Sequence, residues 1–363
     1  MSPLRAIGEE DAGSARGDGK VGVKLALLAL LALAGCGLPV ETGDMPWFSK
    51  WPESGQDVLD PKLRAALDLQ GPQPEFRVQP LDEVRSNFAE MAAKLPKLNE
   101  KLAKVETRAV EAFRVRVYTP EGKGPWPALL YIHGGGWVLG DLESHDDVCR
   151  SLAKRTPCVV VSVDYRRSPE TKYPVPLDDC ERALGWLAGH AGELGVDPAR
   201  MAVGGDSAGG NLAAGLAIRV RDKGGPRIAF QLLIYPATDR SVGRDSQREF
   251  ASGFGLSRSN MQWFWDCYLA KTSDRENPEV SPLRARSLKG LPPAFVLTAH
   301  SDVLRDEGEE FAKRLDQAGV RVTAVRFRAM NHGFIRMGAV YPQADQALTM
   351  LAEALRSNLK VDR

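Results

Sequence analysis

Short apolar runs alternate with amphipathic stretches along most of the chain. Stretches in which apolar residues recur at helical spacing lie at roughly 145–155, 178–192, 208–222, 306–318 and 343–358. The short apolar runs around them lie at 128–132, 159–163, 201–203, 228–234, 295–298 and 322–327. Apolar strands that alternate with helices are typical of a mostly parallel sheet covered by helices on both faces. The pattern therefore predicts an α/β fold.

Two regions depart from this alternation. Residues 60–105 show the apolar spacing of helices, and residues 107–118 then show the period of a strand. Residues 239–290 contain no clear strand, but bulky apolar side chains cluster between Met261 and Tyr268. This cluster indicates either a lid that packs over the functional edge of the sheet or an ordinary core helix.

The N-terminal region has the features of an export signal. Lys24 precedes an apolar run over residues 25–34, which is about half of the ~20 residues that a membrane-spanning helix needs. That length is typical of a signal-peptide core. The run ends in Leu33-Ala-Gly-Cys36, which resembles a bacterial lipobox, where the cysteine is lipidated and the chain is cut just before it. The alternative is a buried core helix with an incidental cysteine.

We therefore expect residues 1–35 to be a lipoprotein signal peptide and Cys36 to carry a lipid. Residues 36–60, rich in proline and glycine, then form a tether. The mature protein is expected to be exported and anchored to a bacterial membrane on its periplasmic or cell-surface side. The polar residues before Val23 are unusual for a signal peptide, which leads to the hypothesis that Val23 is the true start.

Composition excludes some partners and cofactors. The 48 basic and 47 acidic side chains leave a net charge of +1, so no basic excess exists to bind nucleic acid. The five cysteines form no Cys-x-x-Cys pair, which excludes a zinc ribbon and a thioredoxin-type motif. Cys149 and Cys158 are close enough in sequence to pair in an exported protein, although buried free thiols are the favoured interpretation.

Residues 205–209, Gly-Asp-Ser-Ala-Gly, follow an apolar run and precede an Ala/Leu-rich helical stretch. A serine on a sharp strand-to-helix turn is strained and exposes its hydroxyl above the sheet, and the flanking glycines allow close backbone contacts. The N–H groups at the start of the following helix favour negative charge at the same place. The motif predicts Ser207 as a nucleophile, and a glycine-rich turn with an idle serine is the alternative.

A second glycine motif, His133-Gly134-Gly135-Gly136-Trp137, follows the apolar run 128–132. Consecutive glycines let backbone N–H groups turn inward, and two of them, with the N–H of Ala208, would stabilise an oxyanion. A phosphate-binding loop is excluded because no Gly-Lys-Ser/Thr follows. We expect His133 to brace this oxyanion loop.

A nucleophilic serine needs a base, and the base needs an orienting acid. His332 lies in a loop just past the last strand, at the sheet edge where Ser207 is expected. Asp302 follows the apolar run 295–298 at the same edge, which yields the chain order Ser, Asp, His, one of the orders in which such triads occur. Asp306 remains the competing acid and His300 a less favoured base. His145 and His190 fall in helical stretches.

Together these motifs resemble the bacterial hormone-sensitive-lipase-like (family IV) esterases of the α/β-hydrolase fold, from about residue 60 to the C-terminus. The resemblance rests on residues 133–137, Asp164-Tyr-Arg166 with Pro169-Glu170, 204–210, Asp302 with 304–308, and 331–334. It implies a triad of Ser207, Asp302 and His332, oxyanion donors at Gly135, Gly136 and Ala208, and a helical cap from residues 61–105 and 240–290 on a domain spanning 61–363. It also implies hydrolysis of short to medium acyl esters without a cofactor or metal.

Two residues depart from the family pattern beside the expected acid. Val303 replaces the usual proline, and His300 stands where a smaller or acidic residue is usual. Both leave the carboxylate in place. An amidase or deacetylase with the same triad is the alternative activity, and a non-catalytic binding protein on the same scaffold is a further one. The oligomeric state stays open.

Overall fold

A single mixed sheet organises the fold in the computed structural model, which describes residues 59–361. Its strands run in the order β1-β2-β4-β3-β5-β6-β7-β8. Strand β2 pairs antiparallel with β1 and β4, and all other neighbours are parallel. The strand bounds are β1 Lys104–Val110, β2 Phe113–Thr119, β3 Trp126–Ile132, β4 Val159–Asp164, β5 Val196–Asp206, β6 Phe230–Ile234, β7 Ala294–Ser301 and β8 Val322–Asn331. The α/β prediction with a mostly parallel sheet is confirmed.

Helices cover the sheet. Their bounds are α1 Pro61–Gln70, α2 Leu81–Lys94, α3 Asp146–Arg155, α4 Val175–Gly189, α5 Ala208–Lys223, α6 Asp245–Glu249, α7 Arg258–Tyr268, α8 Arg305–Gln317 and α9 Pro342–Leu359. Short 3₁₀ turns lie at Phe76–Val78, Thr272–Glu276, Pro282–Arg284 and Phe334–Met337. The predicted helical stretches after residue 145 are reproduced to within a few residues.

Burial of both sheet faces explains the continuous apolar runs. In β3, Leu130 and Ile132 belong to a core cluster that includes residues of α4, α5 and α8. The intervening Leu129 and Tyr131 belong to a second cluster, built with α3 and α9. Successive side chains of a strand point to opposite faces, so a strand covered on both sides is apolar at every position.

The single strand expected over residues 107–118 is a hairpin of two strands. Val110 and Phe113 face each other across the turn, where Glu111 has φ 50°. The apolar positions repeat every second residue on both sides of the turn, and this pattern resembles one continuous strand. The turn lies where two apolar residues, Val110 and Phe113, are three positions apart instead of two. The helical region predicted over 60–105 ends earlier, since Lys104 already pairs with Thr119.

The two regions expected to form the cap contact each other and the oxyanion loop. The ring of Phe76 packs edge-on against Trp263 and Phe264 of α7. The N–H of Phe76 also donates to Asn260 Oδ1 at 3.0 Å. A Cβ added to Gly136 would lie 2.2 Å from the Phe264 ring, so this ring rests directly on the oxyanion loop. Helix α7 is therefore both a lid and a core helix, because its residue Phe264 contacts the oxyanion loop and also belongs to the buried apolar cluster.

Several expectations fall outside the described part of the chain. The signal peptide over 1–35, the lipidated Cys36, the Val23 start and nearly all of the 36–60 tether lie before residue 59. Between residues 59 and 361, no helix combines the length and apolar character that a transmembrane span requires. The four cysteines of this part, Cys149, Cys158, Cys180 and Cys267, are buried free thiols, so a Cys149–Cys158 disulfide is wrong.

Candidate active site

Ser207 sits on a strained turn between β5 and α5. Its backbone has φ 57° and ψ −119°, a region that residues with a side chain rarely adopt. The glycines around it are required by contact with β3: a Cβ would lie 2.1 Å from Ile132 O at Gly205 and 1.8 Å from it at Gly209. The close packing of α5 on the sheet therefore holds the serine at the carboxyl edge.

The structure brings Ser207, His332 and Asp302 into one hydrogen-bonded line. His332 Nε2 lies 2.8 Å from Ser207 Oγ, and His332 Nδ1 lies 2.7 Å from Asp302 Oδ2. Because a carboxylate only accepts, Nδ1–H donates to Asp302 and Nε2 is left to accept the serine proton. Asp302 also accepts from the N–H of Leu304 at 2.9 Å, which orients the carboxylate. The arrangement can transfer a proton from the hydroxyl to the imidazole.

The competing acid and base lie elsewhere. Asp306 accepts from the N–H of Ser246 at 2.7 Å and from Arg305 Nε at 2.8 Å, at the start of α8. His300 packs edge-on against Phe250. Burial, and then the nearby Arg305, lower the pKa of His300 to about 4. Among the described residues, neither Asp306 nor His300 bonds to the serine or to His332.

The glycine loop offers backbone donors next to Ser207. Gly135 and Gly136 have φ of 113° and 60°, values that favour glycine. Within residues 59–361 their N–H groups donate no hydrogen bond. The N–H of Gly134, in contrast, donates to Asp206 Oδ1 at 3.0 Å. Ala208 is the first residue of α5, so its N–H has no acceptor within the helix. Gly135, Gly136 and Ala208 thus keep the N–H groups that an oxyanion requires.

His133 lies behind this loop, fully buried. Its Nδ1 lies 2.8 Å from Gly134 O, and its ring stacks on Tyr165 with a centroid distance of 4.4 Å. Burial, and then the neighbouring His145, lower the pKa of His133 to about 4. A neutral, stacked ring agrees with a bracing role for His133.

A buried network around Asp206 was missed by the sequence-based prediction. The Asp206 carboxylate accepts from Gly134 N–H and from the hydroxyl of Tyr131, the latter at 2.8 Å. His145 Nε2 lies 3.2 Å from Asp206 Oδ1. His145 was placed in a helical stretch, but it precedes α3 as its cap and faces the interior. The only sequence signal was the position of Asp206 beside the nucleophile.

The electrostatics of Asp206 favour the ionised form. Burial raises its pKa, but attraction to His145 and hydrogen bonds from His145 and Tyr131 outweigh burial, and the pKa lies below its usual range. A buried carboxylate is therefore available to hold the backbone of Gly134. This bond joins the residue before Ser207 to the residue before Gly135.

The departures from the family pattern leave the acid in place. Val303, buried beside Asp302, accepts from Ser246 Oγ at 3.1 Å through its carbonyl. The carbonyl of His300 accepts from Arg305 Nη1 at 3.3 Å. Contacts from α6 and α8 thus hold the segment that a proline would otherwise stiffen.

Comparison with known proteins agrees with the fold. A family model described as alpha/beta hydrolase fold matches residues 129–336. The ethyl acetate hydrolase of Pseudomonas putida is 37% identical over 319 residues, which cover 83% of this chain and 99% of that protein. The carboxylesterase NlhH of Mycobacterium tuberculosis is 37% identical over 315 residues, covering 85% and 98%.

Solved structures show the same similarity. A hyperthermophilic esterase from the archaeon Pyrobaculum calidifontis superposes with a TM-score of 0.79 at 40% identity, covering 82% of this chain and 98% of that one. The match of the family model extends over more than half of the chain, and the relatives are matched along nearly their full length. The chain therefore belongs to the α/β-hydrolase fold family.

Proposed function

We propose that this protein hydrolyses carboxylic esters through an acyl-enzyme on Ser207. The observation that carries the proposal is the line Asp302–His332–Ser207, which lies beside a glycine loop with two unpaired N–H groups. Relatives of similar length are named ethyl acetate hydrolase and carboxylesterase, and this supports esters as the substrate class.

In the proposed mechanism, Ser207 Oγ attacks the ester carbonyl while His332 Nε2 takes the hydroxyl proton. The carbonyl oxygen becomes an oxyanion, which the N–H groups of Gly135, Gly136 and Ala208 stabilise. His332 returns the proton to the alcohol as it leaves. Water then attacks the acyl-enzyme with the same base, which restores Ser207. Asp302 holds the imidazole in the required tautomer throughout.

Short to medium acyl chains are the proposed substrates, and no cofactor takes part. The cap formed by residues 61–105 and 240–290 walls the site, since Phe264 rests on Gly136. Ser207 itself is buried. The proposed substrate is a small-molecule ester whose carbonyl reaches the Ser207 hydroxyl within the site.

The direct test is the replacement Ser207→Ala in the full chain. We expect p-nitrophenyl butyrate turnover to fall below about a thousandth of the wild-type rate, because the nucleophile is lost. Ser86→Ala, on the exposed face of α2, serves as the control and should leave the rate unchanged. Retained turnover in Ser207→Ala would contradict the assignment.

A second measurement separates the alternative activities. Covalent labelling of Ser207 by a fluorophosphonate is expected, and its absence would favour a binding protein. A matched pair of p-nitrophenyl ester and p-nitroanilide substrates then distinguishes an esterase from an amidase. A faster reaction with the anilide would overturn the ester assignment while leaving Ser207 as the nucleophile.

We also propose that the protein is exported and anchored to a bacterial membrane through a lipid on Cys36. Lys24, the apolar run 25–34 and the lipobox-like residues 33–36 support this proposal. Incorporation of labelled palmitate into the wild type, but not into Cys36→Ser, is the expected result. A precursor mass that includes residues 1–22 would refute Val23 as the start.

A further inference from the structure

Arg85 of the cap helix α2 donates a hydrogen bond to the turn that directly follows the oxyanion loop. Arg85 Nε donates to the carbonyl of Val138 at 3.1 Å, and Nη2 donates to the carbonyl of Ser168 at 2.9 Å. The guanidinium also forms a two-pronged pair with Glu170, at 2.6 and 2.8 Å. Arg85 thus joins the cap, the segment after β4 and the turn that follows the oxyanion glycines.

The backbone connects these contacts to the proposed oxyanion donors. The N–H groups of Val138 and Leu139 donate to Gly135 O at 3.1 and 2.8 Å, closing a tight turn. The N–H of Ser168 donates to Trp137 O at 2.9 Å. The peptide that carries the Val138 carbonyl also carries the Leu139 N–H, which is bonded to Gly135 O. A shift of this peptide is therefore expected to move the peptide between Gly135 and Gly136.

The residue type suits this position. A guanidinium presents five N–H donors in a rigid plane and reaches several acceptors in different directions. Val138 and Ser168 are buried, so their carbonyls depend on protein donors. A lysine carries its donors on a single nitrogen and would not reach Val138, Ser168 and Glu170 with the same geometry.

We propose that Arg85 is a positioning residue, through which the seating of α2 sets the geometry of the oxyanion hole. The inference rests on the proposed function, because it assigns the Gly135 and Gly136 N–H groups to the oxyanion. Arg85 acts through the Val138 turn and does not touch the reacting atoms. Catalysis therefore depends on the cap for the placement of its oxyanion donors, in addition to any contact of the cap with substrate.

The test compares Arg85→Met with Glu170→Gln in the full chain. Arg85→Met removes the donors to Val138 and Ser168, whereas Glu170→Gln removes only the charge of the exposed partner. We expect Arg85→Met to lower kcat for p-nitrophenyl butyrate about tenfold, with KM within about threefold, because a displaced donor weakens the oxyanion and not the ground-state ester. Glu170→Gln should stay within about twofold.

Affinity for a boronic acid, which forms a tetrahedral adduct on the serine, provides a readout that helix stability alone would not change. It should fall in Arg85→Met by the same factor as kcat/KM. Arg85 also lines an open cavity of about 560 Å³, so a small cation can reach its place. Millimolar methylguanidinium should raise the kcat of Arg85→Ala and leave that of Glu170→Gln unchanged.

Labelling of Ser207 by a fluorophosphonate distinguishes failure of this inference from failure of the proposed function. If the wild type labels and Arg85→Met labels equally fast, with unchanged kcat, the role of Arg85 is wrong and the serine hydrolase stands. A change confined to KM, or an equal loss of kcat in Glu170→Gln, overturns the inference as well. If the wild type does not label at Ser207, both fail together.

Discussion

The two halves of the candidate site are built in different ways. Ser207, Asp302 and His332 each lie just beyond the end of a strand, β5, β7 and β8, in the parallel part of the sheet. The oxyanion loop follows β3 but depends on side chains from other elements, with Asp206 bonded to Gly134 and Arg85 bonded to Val138. Backbone topology therefore brings the proposed catalytic side chains together, whereas long-range side-chain hydrogen bonds hold the loop that carries the proposed oxyanion donors.

This difference indicates which part of the site tolerates amino-acid substitutions. Around the nucleophile, backbone meets backbone, and no side-chain adjustment can relieve an added atom. Around the oxyanion loop, the bonds from Asp206 and Arg85 are side-chain hydrogen bonds, which a substitution can remove while the sheet persists. Damage to the first region should affect folding, and damage to the second should affect turnover. The predictions below separate these two effects.

The largest effect is expected from Gly209→Ala. A Cβ at this position would lie 1.8 Å from Ile132 O, and the nearest atoms around it all belong to the backbone of Ile132 and His133. We expect a loss of at least about 3 kcal/mol of unfolding free energy, or no soluble protein. Gly185→Ala is the control: it lies in α4 with nothing within 4 Å, and it should stabilise by about 0.5–1 kcal/mol. Urea unfolding of both variants measures the contrast, and an equally stable Gly209→Ala would contradict it.

At the oxyanion loop, Asp206→Ala should lower kcat while the protein remains folded. It removes the acceptor of the Gly134 N–H and leaves His145 without its carboxylate. We expect kcat for p-nitrophenyl butyrate to fall about a hundredfold. Asp206→Asn keeps an oxygen for Gly134 and should stay within about tenfold of wild type. Tyr131→Phe removes only a second donor and should change kcat least.

For the Asp206 series, circular dichroism and the thermal midpoint show whether each variant is folded. If Asp206→Ala is folded and retains full kcat, the carboxylate does not position the loop. If Asp206→Asn loses as much kcat as Asp206→Ala, the negative charge matters and the bond to Gly134 does not.

The last prediction is a pH dependence of stability from Glu307, a buried carboxyl of α8 that accepts from the N–H of Thr238 at 2.9 Å. Burial raises its pKa from 4.5 to about 8. The folded protein then holds a proton that the unfolded chain has lost, so this contribution is complete below pH 4.5 and is lost as the pH rises toward 8. The slope is at most about 1.4 kcal/mol per pH unit.

Glutamine at position 307 does not titrate, so the Glu307→Gln variant lacks this contribution to the pH dependence. Its unfolding free energy, relative to wild type, should therefore rise between pH 5 and pH 8. Urea unfolding at the two pH values measures the difference. A constant offset would show that Glu307 does not titrate in this range.

Much of the site could be predicted because its chemistry follows from short motifs. A glycine-flanked serine after an apolar run indicates a nucleophile turn from residues 205–209 alone. Asp302 is favoured over Asp306 because it follows a strand, and His300 is disfavoured as the base because it would lie beside the acid within one loop. The hairpin at Glu111 was missed, since a turn that preserves the apolar alternation on both sides resembles one strand.

The remainder depends on contacts between residues far apart in the chain. His145 looked like a helix residue, but the fold turns it toward Asp206, 61 positions away. Arg85 has no local signal, because Glu170 lies 85 positions away and its other acceptors are the backbone carbonyls of Val138 and Ser168. Any residue type supplies a carbonyl, so such an acceptor leaves no trace in the sequence.

The sequence by itself determined the α/β alternation, the turn at Ser207 and the glycine loop, because each depends on residue types within a few positions. The tertiary structure decided which acid and which histidine meet the serine, which glycine N–H groups stay unpaired, and which side chains hold the loop. Those outcomes depend on distances between strands and helices, and such distances are set only when the sheet and its helices pack together.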